Sequence, residues 1–482
     1  MSNIQEEKVK KTNYRWVITA MLFFATTINY LDRQVLSLTW KDFIAPEFHW
    51  TNNDYGTITG LFSIFYAVFM LFAGKFVDWM DTKKGYLWSI GIWSAGAVLH
   101  AFCGIATAGI VAGEWTLNFE GARQAIALVS DVSKVVTVSV SLFVFARLIL
   151  AIGEAGNFPA AIKATAEYFP KKDRAFATSI FNSGATIGAL LAPLTIPFIA
   201  KAWGWEMAFI VIGALGFLWM GVWVFVYEKP EKNKRVSAAE LAYIEQDDSE
   251  EGAEMQKDTG AKVTYKQAFR HRQTWAFAVG KFMTDGVWWF LLFWIPAYLS
   301  SVYGLDSTEA APHIFVVYLI TMLSIVGGWL PSYFVDKKKM DPYAGRMKAM
   351  LIFAFLPVLV LFAQPLGHIS VWLPVIIIGI AGAAHQSWSA NIFSTVGDMF
   401  PKYAVATITG IGGMAGGISS FLINKGSGAL FDYSIETNLR FMGFEGIEAG
   451  YFIIFCICAF AYLIGWVIMK ALVPKYELIK EM

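Results

Sequence analysis

Twelve apolar stretches recur along this chain, and they decide what it can fold into. They run approximately over 15–38, 55–78, 86–108, 138–163, 174–200, 206–227, 274–302, 313–335, 347–364, 370–395, 403–424 and 450–472. A helix rises about 1.5 Å per residue, so roughly 20 apolar residues cross the ~30 Å hydrocarbon core of a bilayer. Lipid offers backbone N–H and C=O groups no partner, which leaves helices as the structure for runs of this kind. Hydrophobic residues make up 56% of the chain and charged ones only 16%, where soluble proteins carry about a quarter charged. The expectation is an all-α membrane protein with twelve transmembrane helices. The first span begins near Tyr14 behind a charged tail without a small-residue cleavage site, and reads as retained, not as a removed signal peptide.

The polar stretch 228–272 divides the spans six and six. This suggests a tail (1–14), a first six-helix bundle (15–227), a linker (228–272), a second bundle (273–472) and a second tail (473–482). Of the 38 Lys and Arg, six fall in loops on the side opposite the termini and four within spans or their ends, leaving 28 on the terminal side. That asymmetry expects both termini in the cytoplasm. The halves also repeat. "EYFPKKDRAFATSI" at 167–180 aligns without gaps on "DMFPKYAVATITGI" at 398–411, with six of fourteen positions identical and Glu167 opposite Asp398. "FVD" recurs at 76–78 and 334–336, so the offsets are 231 and 258, and the first half holds 27 extra residues, assigned to the stretch around 109–137. Parallel repeats of this kind place a transported substrate at mid-membrane between two bundles.

Several stretches carry a family resemblance over essentially the whole chain. "GKFVDWMDTKKG" at 74–85 resembles the loop signature between the second and third helices of the major facilitator superfamily. Gly74 there lets helices approach, Asp78 marks a helix end, and Lys83 and Lys84 supply cytoplasmic charge. Asp336 is the counterpart of Asp78 in the second copy. Asp81 stands where a second glycine is expected, and Ser332 replaces the first glycine in the second copy. "NYLDR" at 29–33 and "RLILAIGEAGNFPA" at 147–160 resemble first- and fourth-helix signatures of the anion:cation symporters, which move organic anions with protons or sodium. "KFMTDGVWWFLLFWIPAYL" at 281–299 is similar to the seventh helix of bacterial hexuronate transporters. The resemblance implies a major facilitator fold in a bacterial inner (plasma) membrane. It also implies import of a sugar acid, a hexuronate foremost, by proton symport. Another organic anion (an aldonate, aldarate or small carboxylate) or sodium coupling is the alternative. By the same resemblance Arg33 contacts the anion, Asp32 and Glu154 are protonation sites, and Arg147 is their charge partner.

The charges pose the same question without any family. An ionised side chain at mid-bilayer costs roughly 2.5–3.5 kcal/mol, so Asp32, Arg33, Arg147 and Glu154 together cost about 10–14 kcal/mol if they face lipid. They must therefore meet one another or line a cavity. One reading is a pair of structural ion pairs joining the first and fourth spans. The other is functional. Helix neighbours diverge by about 100°, so Asp32 and Arg33 point apart, while Arg147 and Glu154, seven residues apart, share a face roughly 10 Å apart. That arrangement sends Arg33 into the cavity to grip a carboxylate, turns Asp32 towards Arg147, and leaves Glu154 to exchange a proton.

Other candidates are softer. Tyr30 and Tyr66 offer hydroxyls to a sugar or pack as aromatics. Asn182 and Asn391 are amides inside spans, where they need partners. His385 aligns with Glu154 through the 231 offset, and Gln386 and Trp388 lie beside it. Lys281 and Asp285 stand i,i+4 and suit either an intrahelical pair or a second anion contact. The glycines of 404–428 follow no strand and read as close helix contacts and bending, not as a nucleotide loop. Cys103, Cys456 and Cys458 sit in apolar segments without metal-ligand spacing, and no cofactor motif appears. No P-loop or His-Glu-x-x-His motif occurs, which argues against an ATP-driven pump, and the scattered histidines with no nucleophile constellation against an enzyme. The linker shows no signalling domain, which disfavours a sensor. A net charge of +1 points to no nucleic-acid partner. The expected partners are a sugar-acid anion, protons and the lipid bilayer, and the bundle is expected to work as a monomer.

Overall fold

The apolar runs become long helices, and polar residues at their ends decide where each begins. Thr51 accepts from the Asp54 N–H while the Asp54 carboxylate accepts from the Thr51 N–H, a reciprocal cap that starts the second helix. Asp306 caps a later helix in the same way with Glu309. The computed structural model describes residues 12–247 and 264–479. Parts of the expected tails and of the 228–272 linker therefore lie outside the described residues.

In chain order the main helices are α1 (Tyr14–Thr39), α2 (Asn52–Met80), α3 (Thr82–Ala112), α4 (Phe119–Ala127), α5 (Val132–Glu154), α6 (Asn157–Tyr168), α7 (Lys171–Trp203) and α8 (Trp205–Val226). They continue with α9 (Ala238–Ile244), α10 (Arg272–Tyr303), α11 (Ser307–Thr321), α12 (Val326–Asp336), α13 (Pro342–Phe355), α14 (Trp372–Met399), α15 (Lys402–Glu436) and α16 (Ile447–Leu472). Among the described residues, 10 helical segments are long and apolar enough to cross a membrane, α5–α6 and α11–α12 each counting as one. The remaining long helices, α1 and α15, run through the interior and carry more polar residues, among them Thr26, Asn29, Asp32 and Gln34 on α1 and Ser420 and Asn424 on α15. A short hairpin of β1 (Arg440–Phe441) and β2 (Phe444–Glu445) turns the chain between α15 and α16.

Three expected spans are interrupted helices, the ninth by a 3-10 stretch over Leu356–Phe362. The fourth stops at Glu154 and restarts at Asn157. There α5 runs so close to α3 that a Cβ on Gly153 would lie 2.3 Å from the Trp93 nitrogen. The eighth is interrupted by a tight turn over Met322–Ile325. The Asn391 amide donates to the freed Gly327 carbonyl at 2.8 Å, and Ser387 Oγ donates to the Ser324 carbonyl at 3.4 Å. Broken helices survive in a membrane where such side chains re-satisfy the backbone.

The repeat is visible in the packing. Glu167, at the end of α6, accepts from Thr82 at the start of α3 at 2.6 Å. Its aligned partner Asp398, at the end of α14, pairs with Arg346 at the start of α13 at 2.7 Å. The extra stretch near 109–137 contains α4, whose Arg123 Nη2 binds Glu206 at 2.7 and 2.6 Å and whose Nε reaches Glu47 at 3.3 Å. In the linker, α9 presents Glu240 to the start of α1, where it accepts from the Tyr14 and Arg15 N–H groups at 3.0 and 3.1 Å. It thereby caps a helix whose own N-cap residue, Asn13, makes no side-chain cap. Helices before and after the linker cross as α2 on α15 and α7 on α11. Gly56 and Gly428 permit the first crossing, since a Cβ on Gly56 would lie 2.5 Å from the Asn424 carbonyl oxygen.

Candidate functional site

Four helices meet around Arg33. α1 carries it beside Tyr30 and Asp32, α2 brings Phe62 and Tyr66, α5 ends at Glu154, and α10 supplies Trp289 from beyond the linker. Arg33 donates to Glu154 Oε2 through Nη2 at 2.6 Å and through Nε at 3.0 Å. Its guanidinium lies 4.7 Å from the Tyr66 ring centre, 5.1 Å from Tyr30, 5.2 Å from Trp289 and 5.9 Å from Phe62. Both partners are buried, with Arg33 4% and Glu154 0% exposed. Charge-assisted hydrogen bonds and aromatic faces are the two surroundings that let a guanidinium sit away from water.

This pairing fits the ion-pair reading for Arg33 and Glu154, and departs from the arrangement drawn for the functional one. Arg33 was expected to stand free in the cavity with Glu154 apart, yet the two hold each other. Asp32 was expected to meet Arg147, yet no ion pair joins them among the described residues. Arg147 lies 5.1 Å from the Phe62 ring centre, and its three side-chain nitrogens have no hydrogen-bond partner in the structure. Both Asp32 carboxylate oxygens are likewise buried without one. The cause is the meeting of two helices. α1 turns Arg33 towards the end of α5, where Glu154 lies, and leaves Arg147 two turns away on the same α5 face.

A second polar cluster belongs to the helices after the linker. Lys281 and Asp285 form the i,i+4 pair at 2.7 Å on α10. One turn further, Trp288 stacks on His385 with ring centres 5.1 Å apart and planes 7° apart. His385 Nδ1 meets the Tyr462 hydroxyl at 2.7 Å. Gln386 is half-buried beside it, and Trp388 is fully buried. Asn391 bonds the Gly327 and Ser387 carbonyls, which ties its amide to the break between α11 and α12. It also borders a cavity of about 320 Å³ lined by Asp336 and Arg346. Asn182 is exposed on α7 and makes no hydrogen bond to Arg33 or its ring partners among the described residues. Tyr30 and Tyr66 thus converge on Arg33, whereas Asn182 and Asn391 do not. Sequence reasoning did not single out Phe62 and Trp289. Trp289 lies inside the seventh-helix stretch, but its place beside Arg33 depends on a crossing that no spacing encodes.

The loop between α2 and α3 also differs from expectation in one respect. A Cβ on Gly74 would meet nothing within 4 Å, so Gly74 does not permit the approach of α3. Gly85 does, since a Cβ there would lie 3.0 Å from the Val77 Cα. Asp81 adopts φ +67°, the left-handed region that explains why a glycine is expected at its position. Asp78 pairs with Lys163 at 3.0 Å and Lys83 with Glu228 at 3.0 Å, while Lys84 is exposed.

Comparison with known proteins agrees with this architecture. Residues 22–423 match the Major Facilitator Superfamily. The chain belongs to the major facilitator superfamily. It is 29% identical over 423 residues to the hexuronate transporter of Escherichia coli (strain K12), covering 87% of this chain and 88% of that one. It is 25% identical over 460 residues to a probable galactarate/D-glucarate transporter of the same strain, covering 92% and 95%. Among solved structures, a bacterial homolog of the human lysosomal transporter Spinster matches with a TM-score of 0.67 at 18% identity, covering 96% of this chain and 97% of that one. This major facilitator protein is a multi-pass membrane transporter, not an enzyme.

Proposed function

We propose that the protein imports a hexuronate across a bacterial inner membrane by proton symport with alternating access. The observation that carries this reading is the caged Arg33–Glu154 pair. A substrate carboxylate has the same chemistry as Glu154 and competes for the same guanidinium donors. When it takes them, Glu154 is left buried without a counter-ion, and a proton is the cheapest way to neutralise it. Anion binding and proton binding then become one event. Asp32 and Arg147, buried close by, belong to the same relay. Tyr30, Tyr66, His385 and Gln386 offer hydrogen bonds to sugar hydroxyls, and the relatives that transport hexuronates and galactarate support a sugar acid as cargo. The galactarate/D-glucarate relatives also favour a second reading, an aldarate as substrate.

The same proposal counts α1 and α15 as spans, giving twelve, with both termini cytoplasmic. It takes 15–227 and 273–472 as the two rocking bundles, 228–272 as their cytoplasmic linker, and one chain as the working unit. Asp78, Lys83 and Lys84, with Gly74 and Asp336, then form the cytoplasmic gating loops. The test is uptake of labelled glucuronate into proteoliposomes, with and without an inward proton gradient at fixed sodium. Gradient-driven accumulation that galacturonate competes away is the expected result. Glu154→Gln should abolish accumulation while leaving substrate exchange, because the pair is broken but the cage remains. A Glu154→Gln protein that still concentrates glucuronate overturns the coupling role.

A further inference from the structure

α10 forms one wall of the Arg33 cage and carries a second buried ion pair along the same helix. From Trp289, which lies against Arg33, the helix leads back one turn to Asp285 and two turns to Lys281. Lys281 Nζ is 2.7 Å from Asp285 Oδ2, and the side chains are only 7% and 15% exposed. Asp285 sits directly on the backbone of α15, where a Cβ on Gly416 would lie 2.2 Å from Asp285 Oδ2. The next residue, Gly417, faces Ala67 of α2. The pair therefore lies at the seam between the helices that precede and follow the linker. Lys281 also rests 4.4 Å from the centre of the Phe393 ring of α14.

An ammonium in this position is a ready receptor for an anion, yet it is already occupied by the chain's own carboxylate. We infer that Asp285 is a resident stand-in for a second substrate carboxylate, and that by masking Lys281 it sets a preference for sugar acids with one carboxylate over those with two. This rests on the sugar-acid reading above. A uronate bound through Arg33 and laid along α10 presents only neutral hydroxyls beyond its single carboxylate. An aldarate bound the same way carries a second carboxylate at its far end, and one turn of α10, about 6 Å, separates Trp289 beside Arg33 from Asp285. That carboxylate meets a like charge, and to reach Lys281 it must displace Asp285 and leave it buried and unpaired. The cation alone would attract a diacid, whereas the pair rejects it. Asp285 thus acts as a specificity-determining residue without any need to touch a uronate.

The test compares glucuronate and glucarate as competitors of labelled glucuronate uptake in proteoliposomes. The unaltered protein should prefer glucuronate. Asp285→Asn keeps the side chain's size against Gly416 and exposes Lys281's charge, so inhibition by glucarate relative to glucuronate should strengthen at least tenfold. Adding Lys281→Gln should remove that gain. A second measurement needs no variant. Glucarate with one carboxyl converted to the amide should compete with the unaltered protein far better than free glucarate. An unchanged ratio in an Asp285→Asn protein that still takes up glucuronate overturns the proposal, as does a monoamide rejected as strongly as the diacid. Equal uptake of glucarate by the unaltered protein overturns it too, while leaving a sugar-acid transporter in place. Uptake of neither compound removes the substrate reading itself, and this inference with it.

Discussion

Arg33 differs from a generic buried cation in having two directed donors on one carboxylate oxygen and flat faces against Tyr66 and Trp289. Lysine supplies the charge without the planar fork or the stacking. Arg33→Lys should therefore keep Glu154 neutralised and the bundle folded, yet hold a substrate carboxylate less well. Hydrogen bonds to charged groups contribute about 1.5–3 kcal/mol, so the expected loss is roughly 10–100-fold in substrate affinity. Titration calorimetry of glucuronate with purified protein measures it directly. An unchanged Kd would mean that charge alone, not the guanidinium's geometry, holds the anion. The same reasoning separates Arg33 from Arg147, whose nitrogens are buried against Phe62 without direct partners.

At the scale of elements, the stretch near 109–137 shows how an addition is held in place. α4 contributes one guanidinium, Arg123, to three carboxylates: Glu206, Glu120 and Glu47. Glu47 lies between the spans and also accepts from the Trp205 indole at 2.7 Å. Burial pushes its carboxyl up to about 7, against the opposing pull of the Trp205 and Arg123 hydrogen bonds. A folded value above the unfolded 4.5 means the folded state binds this proton more tightly. The stability it contributes is then complete below about pH 4.5 and lost as pH rises through about 7, up to about 3 kcal/mol in all. Thermal unfolding of the unaltered protein should therefore shift downward between about pH 5 and pH 8, and Glu47→Gln should flatten that part of the curve. Parallel curves for the two proteins would show that Glu47 stays ionised throughout. The existence of most helices was legible because twenty apolar residues permit little else. The breaks before Asn157 and at Met322–Ile325 were not, because they answer to Gly153 against α3 and to Asn391 on α14. Nor did any spacing announce the pairing of Arg33 with Glu154, 121 residues away, since two charged positions specify helices and not the partner each will face.

For the whole molecule, the internal repeat reaches the charged contacts that close one end. Lys201 and Asp432 stand 231 residues apart, the same offset as Glu167 and Asp398. Both cross between the two sets of helices at the end remote from the described start of the chain. Asp432 accepts from the Asn52 and Asn53 N–H groups at the start of α2, at 3.0 and 2.7 Å. Lys201 reaches Asp306, the cap of α11, at 3.3 Å. Lys425 adds bonds to Asn53 and Thr57 at 2.6 and 2.7 Å, and Asp42 accepts from the Ser307 N–H at 2.6 Å. Among the described residues, Asp78–Lys163 and Asp398–Arg346, near the opposite end, each stay within one set of helices. If the termini are cytoplasmic, as proposed, this arrangement is closed to the outside, and Asp432 contributes a full charge there to a helix N-terminus. Asp432→Asn preserves an acceptor but removes the charge that the α2 dipole favours, a loss of about 1–2 kcal/mol. One or two kcal/mol is roughly a 5–30-fold change in a two-state ratio. A Ser63→Cys reporter, on the α2 stretch that faces Gly417 of α15 and bonded only to the Thr59 carbonyl, should then react faster with a membrane-impermeant maleimide added outside when Asp432→Asn is present. Labelling that does not change would assign the closure to Lys201, Lys425 and Asp42 instead. Faster labelling would show that the Asp432 carboxylate on the α2 N-terminus holds the two sets of helices together, so that opening requires it to leave that helix end; the matched position on the other side, Lys201 on the α11 cap, is then tested in the same way with Lys201→Gln.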